Sequence, residues 1–389
     1  MQQGLCIMCG KQITGYTTHG GDREVKMQAV LLVGGQGTRL RPLTCNTVKA
    51  MVPVLNKPFL EHLIRYLAGH GIDDIIVTLC YLPDCIESYF GDGSSFGVKL
   101  TYVMEETPLG TAGAVKNADK YLDEVFFVFN GDIFTDLDLR AMLSFHRKRK
   151  AKVTIALTPV EDPTAYGVVE MDSRRRVKRF VEKPPRDEVT SNLINAGTYI
   201  LDREVIGDIP PNTPFMFERH LFPMLLAKGV AVYGYSSDAY WIDIGTPQKY
   251  RQLQYDLLQG KGTAVACGQM RREETGREKG CLIHPTAIIE GPVVLGTNCS
   301  IGAGVRIQGP SVVGDGCRIL DGALIDRAVL WRNVVVAKGS SLRECVIGDN
   351  CSIGEGCLVD GGAVIGDNVI VTEGSRLTGA EKIGPDTTV

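Results

Sequence analysis

The chain has 389 residues, with 42 Lys or Arg against 45 Asp or Glu and a formal net charge of −3. That length exceeds one ordinary core and predicts two domains. The near-balanced charge gives no whole-molecule field for holding nucleic acid or an anionic membrane surface, and neither is expected as a partner. No apolar run reaches the roughly 20 residues that span a bilayer, and the first residues lack the apolar stretch of a signal peptide. A cytoplasmic protein is therefore expected, and the 12 cysteines, scattered without secretory context, are expected to be reduced thiols.

In chain order, residues 1–26 read as an N-terminal extension, unstructured or a non-native start. Within it Cys6 and Cys9 form a CxxC that looks like half of a zinc ribbon, with His19 the one nearby further ligand. From Met27 to residue 260, strand-like apolar runs alternate with amphipathic ones, the pattern of a doubly wound α/β domain. AVLLV at 29–33, DDIIVTLCY at 73–81, VKLTYVME at 98–105, VFFVFNGD at 125–132 and KVTIALTPV at 152–160 are the strands. PFLEHLIRYLAGHG carries Leu60, Leu63, Ile64 and Leu67 at helical spacing. After Gly167 come a hairpin-like stretch to Pro184, a strand at INAGTYIL, a helix around Phe217 to Lys228 and a closing helix near Gly260. Ligands of such sheets bind at the carboxyl ends of the strands, so the loops there are where chemistry is expected.

Residues 261–280 are polar, lack apolar periodicity and read as a linker. From 281 to 389 aliphatic residues recur at every sixth position, from Ile283 through Ile325 and, after a register slip, from Ile347 to Val371. This hexapeptide repeat predicts a parallel β-helix. Small or slender residues four positions after many of these aliphatics, among them Cys299, Cys317, Cys351 and Cys357, are expected as packing.

The chemistry concentrates in GGQGTRLRPLT at Gly34 to Thr44. Its glycines follow a strand, where missing side chains let backbone N–H groups approach phosphate oxygens. The ATPase phosphate loop, GxxxxGK[ST], is absent, and Leu40 fills the third glycine position of the dinucleotide fingerprint. What remains is a glycine loop with Arg39, Arg41 and then Lys49, cations suited to a triphosphate and a departing pyrophosphate.

On these residues the chain resembles the sugar-nucleotide pyrophosphorylases, whose signature is GGxGTRLxPLT followed by a lysine. PLGTAGAV at 108–115, NGDIF at 130–134, YGVVE at 166–170, FVEKP at 180–184, INAGTYI at 194–200 and WIDIGTP at 241–247 follow in the family's order. The combination is most similar to the mannose-1-phosphate guanylyltransferase branch. The resemblance implies a Rossmann-like nucleotidyltransferase domain followed by a left-handed β-helix. It further implies transfer of a nucleotidyl group from a nucleoside triphosphate to a sugar 1-phosphate, with release of pyrophosphate. Gly34, Gly35, Gly37, Thr38 and Gly110 would bind the nucleotide, Arg39, Lys49 and Lys183 would act on the phosphates, and Gly167, Glu182 and Asn195 would take the sugar. Asp132 and Asp243 would hold Mg2+, a hard cation that suits carboxylate and phosphate oxygens.

Glu105 is placed by the resemblance against the base. A carboxylate can accept from guanine N1–H and its exocyclic amine together, whereas uracil and thymine flank their one donor with acceptors. GTP and mannose 1-phosphate are thus the expected substrates, with thymidylyl, uridylyl or adenylyl transfer to glucose 1-phosphate as the alternative. The neighbouring Glu106 could compete for the base position, and His220 stands in FERHLFP where the family often has an acid. Two other classes compete with this reading. An acyltransferase β-helix would need a histidine base, and only His284 is present there. A catalytically dead regulatory subunit would be expected to lose a phosphate cation or metal carboxylate, and all are retained. A homo-oligomer built through the β-helix is expected.

Overall fold

The computed structural model describes residues 27–262 and 280–389. The Cys6, Cys9 and His19 expectation, the N-terminal extension and most of the linker lie outside the described residues. The first domain runs β1 (Met27–Leu32), β2 (Pro53–Val54), β3 (Lys57–Pro58), α1 (Phe59–Gly69), β4 (Ile72–Leu79), α2 (Pro83–Phe90), β5 (Lys99–Met104), α3 (Gly110–Asn117), β6 (Val125–Asn130), β7 (Ile133–Thr135) and α4 (Leu139–Arg149). It continues through β8 (Val153–Pro159), β9 (Gly167–Met171), β10 (Val177–Glu182), β11 (Leu193–Asp202), α5 (Phe222–Ala227), β12 (Val232–Ser236), β13 (Trp241–Asp243) and α6 (Pro247–Leu258).

β1 is central because both of its faces are apolar. It pairs in parallel with β4 on one side and β6 on the other. Alternate residues serve two cores: Ala29, Leu31, Ile75, Val77 and Phe127 enter one, and Val30, Ile76, Phe126 and Val128 the other. Such two-sided burial is why these strands read as unbroken apolar runs. α1 covers one face through the stripe Leu60, Leu63, Ile64 and Leu67. The sheet order is β10-β9-β11-β6-β1-β4-β5, with β8 and β12 attached beside β11. The chain leaves β1 toward β4 and β5, then returns to β6 on the other side. The loops after β1 and β6 therefore diverge and open a crevice at their carboxyl ends.

The second domain is a β-helix of three six-stranded parallel sheets. Ile283, Ile301, Ile319, Val336, Ile353 and Val371 stack as one inward ladder. The register differs from the single slip expected. Leu330, Val336 and Leu342 keep the repeat through the middle, and two corners each lose one residue, between Ile325 and Leu330 and between Leu342 and Ile347. Arg327 and Glu344 occupy these tightened corners at φ 48 and φ 45.

Those corners are where the domains meet. On five of the six strands of the third sheet the residue preceding the inward ladder is a valine, and Val312, Val329, Val346 and Val364 are buried in one cluster with Leu40, Leu43, Val52, Tyr250 and Leu253. Trp331 Nε1 donates to Tyr250 Oη at 3.0 Å and Asn56 Nδ2 to Val313 O at 2.9 Å. Arg251 and Tyr255 of α6 donate to the carbonyls of Glu344 and Arg327. All nine described cysteines are free, and burial pushes the Cys299, Cys317, Cys345 and Cys351 thiols up to about 12. They pack as small apolar groups, as expected for Cys299, Cys317 and Cys351, and Cys345, which the repeat did not single out, joins the same cluster. Among the described residues no helix is long and apolar enough to cross a membrane.

Candidate active site

The crevice is framed by backbone bonds that extend the strand ladder past its ends. Val33 N donates to Thr78 O at 3.0 Å, Gly131 N to Leu32 O at 3.0 Å and Glu105 N to Leu79 O at 2.7 Å. Residue 131 must be glycine, because a Cβ there would stand 2.5 Å from Leu32 O. That close approach carries Asp132 over the end of β1.

In the signature loop Gly37 takes φ 63, and Thr44 Oγ1 closes the turn onto Gly37 O at 2.8 Å. A single 3-10 turn over Thr38–Leu40 buries Leu40 and leaves Arg39 and Arg41 exposed. Lys49 follows on a second such turn and points back into the crevice, with only 10% of its side chain exposed. Its Nζ lies 2.6 Å from Asp132 Oδ2 and 3.6 Å from Asp243 Oδ1.

The two aspartates meet because β13 pairs antiparallel with β7, setting Asp243 opposite Ile133. Ile244 N donates to Asp132 O at 3.1 Å, and Gly245 N to Asp243 Oδ1 at 2.5 Å. Arg39 reaches the same turn, since a Cβ on Gly245 would stand 3.1 Å from its Nη2. Arg39, Lys49, Asp132 and Asp243 are therefore one charged centre.

Beside this centre is a cavity of about 350 Å³ lined by Gly34, Gly35, Lys49, Glu105, Gly110 and Asp132. Thr38 and Gly37 stay on the loop outside that lining. Glu105 is buried while Glu106 is exposed, so the two adjacent carboxylates are sorted by the fold. Burial raises the Glu105 carboxyl above the usual range, opposed by the Leu109 N–H that donates to Oε2 at 2.9 Å. Its other oxygen lies alongside Gly34, where a Cβ would stand 3.2 Å away.

The remaining expected residues form a second group. Gly167 pairs with Glu182 across β9 and β10, and a Cβ on Gly167 would stand 2.9 Å from Glu182 Oε2. Asn195 Nδ2 donates to Tyr199 Oη at 2.7 Å, and Tyr199 Oη to Glu218 Oε1 at 3.3 Å. Thr111, on the wall of the first cavity, donates to Glu218 Oε2 at 3.1 Å. Burial raises the Glu218 carboxyl. His220 Nδ1 accepts from Met216 N at 2.9 Å within its own turn. Lys183 lies at the rim: its side chain is 57% exposed and its Nζ is 3.8 Å from Glu182 Oε1. His284 is exposed on the first coil of the β-helix, bonded to Thr286 at 2.9 Å.

Sequence reasoning passed over Lys249. It sits in the first turn of α6, and its Nζ lies 3.4 Å from Asp243 Oδ2 and bonds the Tyr166 hydroxyl. Burial lowers this ammonium, but the Tyr166 bond and the Asp243 charge outweigh burial and raise it. The available signal was its place two residues after Pro247 in WIDIGTPQK, at the start of a helix that follows a metal-type aspartate.

Among the described residues no three His, Cys, Asp or Glu side chains converge as a metal cage. The donor set fits a divalent cation in another way. Asp132 and Asp243 converge on one cationic point, now held by Lys49, and a hard ion there would complete its shell with substrate oxygens.

Residues 28–260 match the family model described as Nucleotidyl transferase, and residues 272–377 the EIF2B subunit epsilon LbH domain. The chain is 41% identical over 305 residues to a mannose-1-phosphate guanylyltransferase of Mycobacterium tuberculosis, covering 77% of this chain and 80% of that one. It is 35% identical to a UTP–glucose-1-phosphate uridylyltransferase of Synechocystis over 81% of this chain and 86% of the relative. The solved structure of HddC from Yersinia pseudotuberculosis complexed with GMP-PN is 33% identical, with a TM-score of 0.52. It covers 59% of this chain and 99% of HddC.

Proposed function

The chain belongs to the nucleotidyl transferase family, and from that premise we propose that it transfers a guanylyl group from GTP to mannose 1-phosphate, releasing pyrophosphate. The observation that carries the choice of base is Glu105, a buried carboxylate on the wall of a cavity that the glycine loop also lines. Guanine offers it two adjacent donors, where uracil or thymine would set carbonyl oxygens against it. The choice of mannose is supported by the Mycobacterium relative and by several others of the same name.

In the reaction an oxygen of the sugar phosphate attacks the α-phosphorus in line. The bond from that phosphorus to the bridging oxygen breaks, and pyrophosphate leaves with the electron pair. The attacking oxygen is already anionic, so neither an enzyme nucleophile nor a general base is required. The protein's part is to position charge. Arg39 and Lys49 neutralise the pyrophosphate side. Asp132 and Asp243 would hold Mg2+, which supplies positive charge to the reacting phosphates. Lys183 reaches the sugar phosphate from the rim, while Glu182, Asn195 and the Gly167 backbone take sugar hydroxyls. Gly34, Gly35, Gly37, Thr38 and Gly110 hold the nucleotide. The enzyme is cytoplasmic and assembles as a homo-oligomer through its β-helix.

The test is pyrophosphate release across GTP, ATP, UTP and dTTP, each with mannose 1-phosphate and glucose 1-phosphate. GTP with mannose 1-phosphate is expected to give the highest kcat/KM. Release with no pair would overturn enzymatic transfer, and a clear preference for UTP or dTTP would overturn the role of Glu105.

A further inference from the structure

Asp243 is shared by two ammonium groups. Lys49 approaches its Oδ1 at 3.6 Å from the side of the first cavity, and Lys249 approaches Oδ2 at 3.4 Å from the opposite side. Behind Lys249 is a second cavity of about 460 Å³, lined by Thr158, Tyr166, Asp238, Trp241 and Lys249. Tyr166 and Trp241 stand edge to face with ring centroids 5.5 Å apart, and the Lys249 ammonium lies 4.8 Å from the Tyr166 centroid. An aromatic wall with a hydroxyl, a carboxylate and an ammonium suits a sugar that carries an anion. The cavity adjoins the second group of site residues. Tyr166 precedes Gly167 and its carbonyl accepts from Lys183 N at 2.9 Å, while Trp241 Nε1 donates to Ala196 O beside Asn195, also at 2.9 Å.

Charge decides what Lys249 can do. Around Asp132 and Asp243 stand Arg39, Lys49 and Lys249, three cations for two carboxylates, before any metal is added. A divalent cation taken by the two aspartates would release Lys49 from both carboxylates and would leave Lys249 held by the Tyr166 hydroxyl, with its ammonium no longer paired to Asp243. Lys249 lies on the first turn of α6, whose N-terminus is itself the positive end of the helix dipole. Lys183, the cation the motif reading gave to the sugar phosphate, is by contrast more than half exposed, and among the described residues its ammonium pairs with Glu182 alone.

We infer that Lys249 is a phosphate-binding residue for the sugar 1-phosphate, holding its anion at the mouth of the Tyr166–Trp241 cavity and shielding it from the Asp243 carboxylate. The identity of the anion rests on the guanylyl-transfer reading above. The metal chemistry of the aspartates is not part of the claim.

Lys249→Met and Lys249→Arg test it, with KM measured separately for each substrate and mannose 1-phosphate binding measured by calorimetry in the absence of GTP. Losing one charge-assisted bond is expected to raise KM and Kd for mannose 1-phosphate roughly 10- to 100-fold in Lys249→Met. KM for GTP should stay within about twofold, and Lys249→Arg should recover most of the affinity because it restores the charge. A structural defect would move both substrates together, so equal rises in the two KM values, or no rise in either, overturn the assignment. If the wild type turns over no pair, the guanylyl-transfer reading fails on its own. Calorimetry with inorganic phosphate then decides the site: weaker binding in Lys249→Met supports it, and unchanged binding sinks it.

Discussion

Replacing Glu105 by Gln keeps the side chain's size and removes its charge, which makes the basis of nucleotide choice measurable. In the wild type one carboxylate oxygen accepts Leu109 N–H at 2.9 Å and the other lies beside Gly34. Guanine would add two donors to this group. Glutamine can accept only one of them, because its amide NH2 would face the guanine amine donor to donor. One charge-assisted bond is lost and a second is weakened, about 3 kcal/mol in all, or on the order of 150-fold in kcat/KM for GTP. The same amide matches uracil, whose N3–H and adjacent carbonyl pair with an acceptor and a donor. Activity with UTP should therefore rise while activity with GTP falls. Pyrophosphate release with each triphosphate at saturating mannose 1-phosphate reads both changes. Stability supplies an internal control. Burial raises the Glu105 carboxyl in the folded chain, so its ionised form disfavours folding at pH values above that raised pKa, and this penalty disappears below the unfolded pKa. Glutamine removes the penalty, and Tm at pH 7 should hold or rise. A Glu105→Gln enzyme that keeps the wild-type ratio of GTP to UTP activity would refute the argument, whatever its absolute rate.

The same carboxyl sets an acid limb: KM for GTP should climb as pH falls through the raised Glu105 pKa, above the usual carboxylate range, and the climb should be absent in Glu105→Gln. Asp243→Ala should lower kcat by at least roughly 1000-fold, from loss of charge positioning at the transition state, with folding intact by circular dichroism; a loss under tenfold would remove Asp243 from the site. Trp331→Ala should cost about 3–5 kcal/mol by leaving a cavity between the domains, whereas Trp331→Phe, which loses mainly the bond to Tyr250, should cost about 1 kcal/mol; equal Tm shifts for the two would contradict the packing account. Buried thiols at Cys299, Cys317, Cys345 and Cys351 should resist iodoacetamide until the β-helix is unfolded, as mass spectrometry of the native and denatured protein would show.

Much of the first domain was legible because its chemistry is contiguous in sequence and ends on strands buried on both faces. The signature loop, the NGD turn and the WID strand each carry their candidate residue beside the element that positions it. Lys249 was not legible in that way. Its partners Tyr166 and Asp243 are brought to it by the pairing of β13 with β7 and by the start of α6, and neither leaves a periodic trace. Lys183 illustrates the converse: the motif is clear, but the fold puts the ammonium at the rim, 3.8 Å from Glu182. In the β-helix the inward ladder was readable, yet two shortened corners looked like one slip because Leu330, Val336 and Leu342 continue the repeat between them. The outward valines were also present to be read. Val312, Val329, Val346 and Val364 each precede an inward aliphatic on one sheet, where the corresponding positions of another mix Leu282, Val335 and Ile370 with Ser300, Arg318 and Ser352. An apolar residue facing outward on five successive coils of a single sheet, from Val294 to Val364, has no use in solvent, and marks a surface that something must cover.

What covers it is the back of the signature loop. Leu40 stands between Arg39 and Arg41, and Leu43 follows within the same motif; both are fully buried in the cluster that contains the outward valines and Trp331. Tyr250, next in the chain to Lys249, accepts from Trp331 and donates to Pro53 O, and Gln254 Nε2 reaches that same carbonyl at 2.8 Å. The cations of the charged centre therefore neighbour side chains whose other face is the β-helix. The shortened corners at Arg327 and Glu344 fit this arrangement, since their carbonyls are the acceptors for Tyr255 and Arg251. The β-helix thus forms part of the wall that holds the charged centre in place, through the same apolar cluster that joins the two domains.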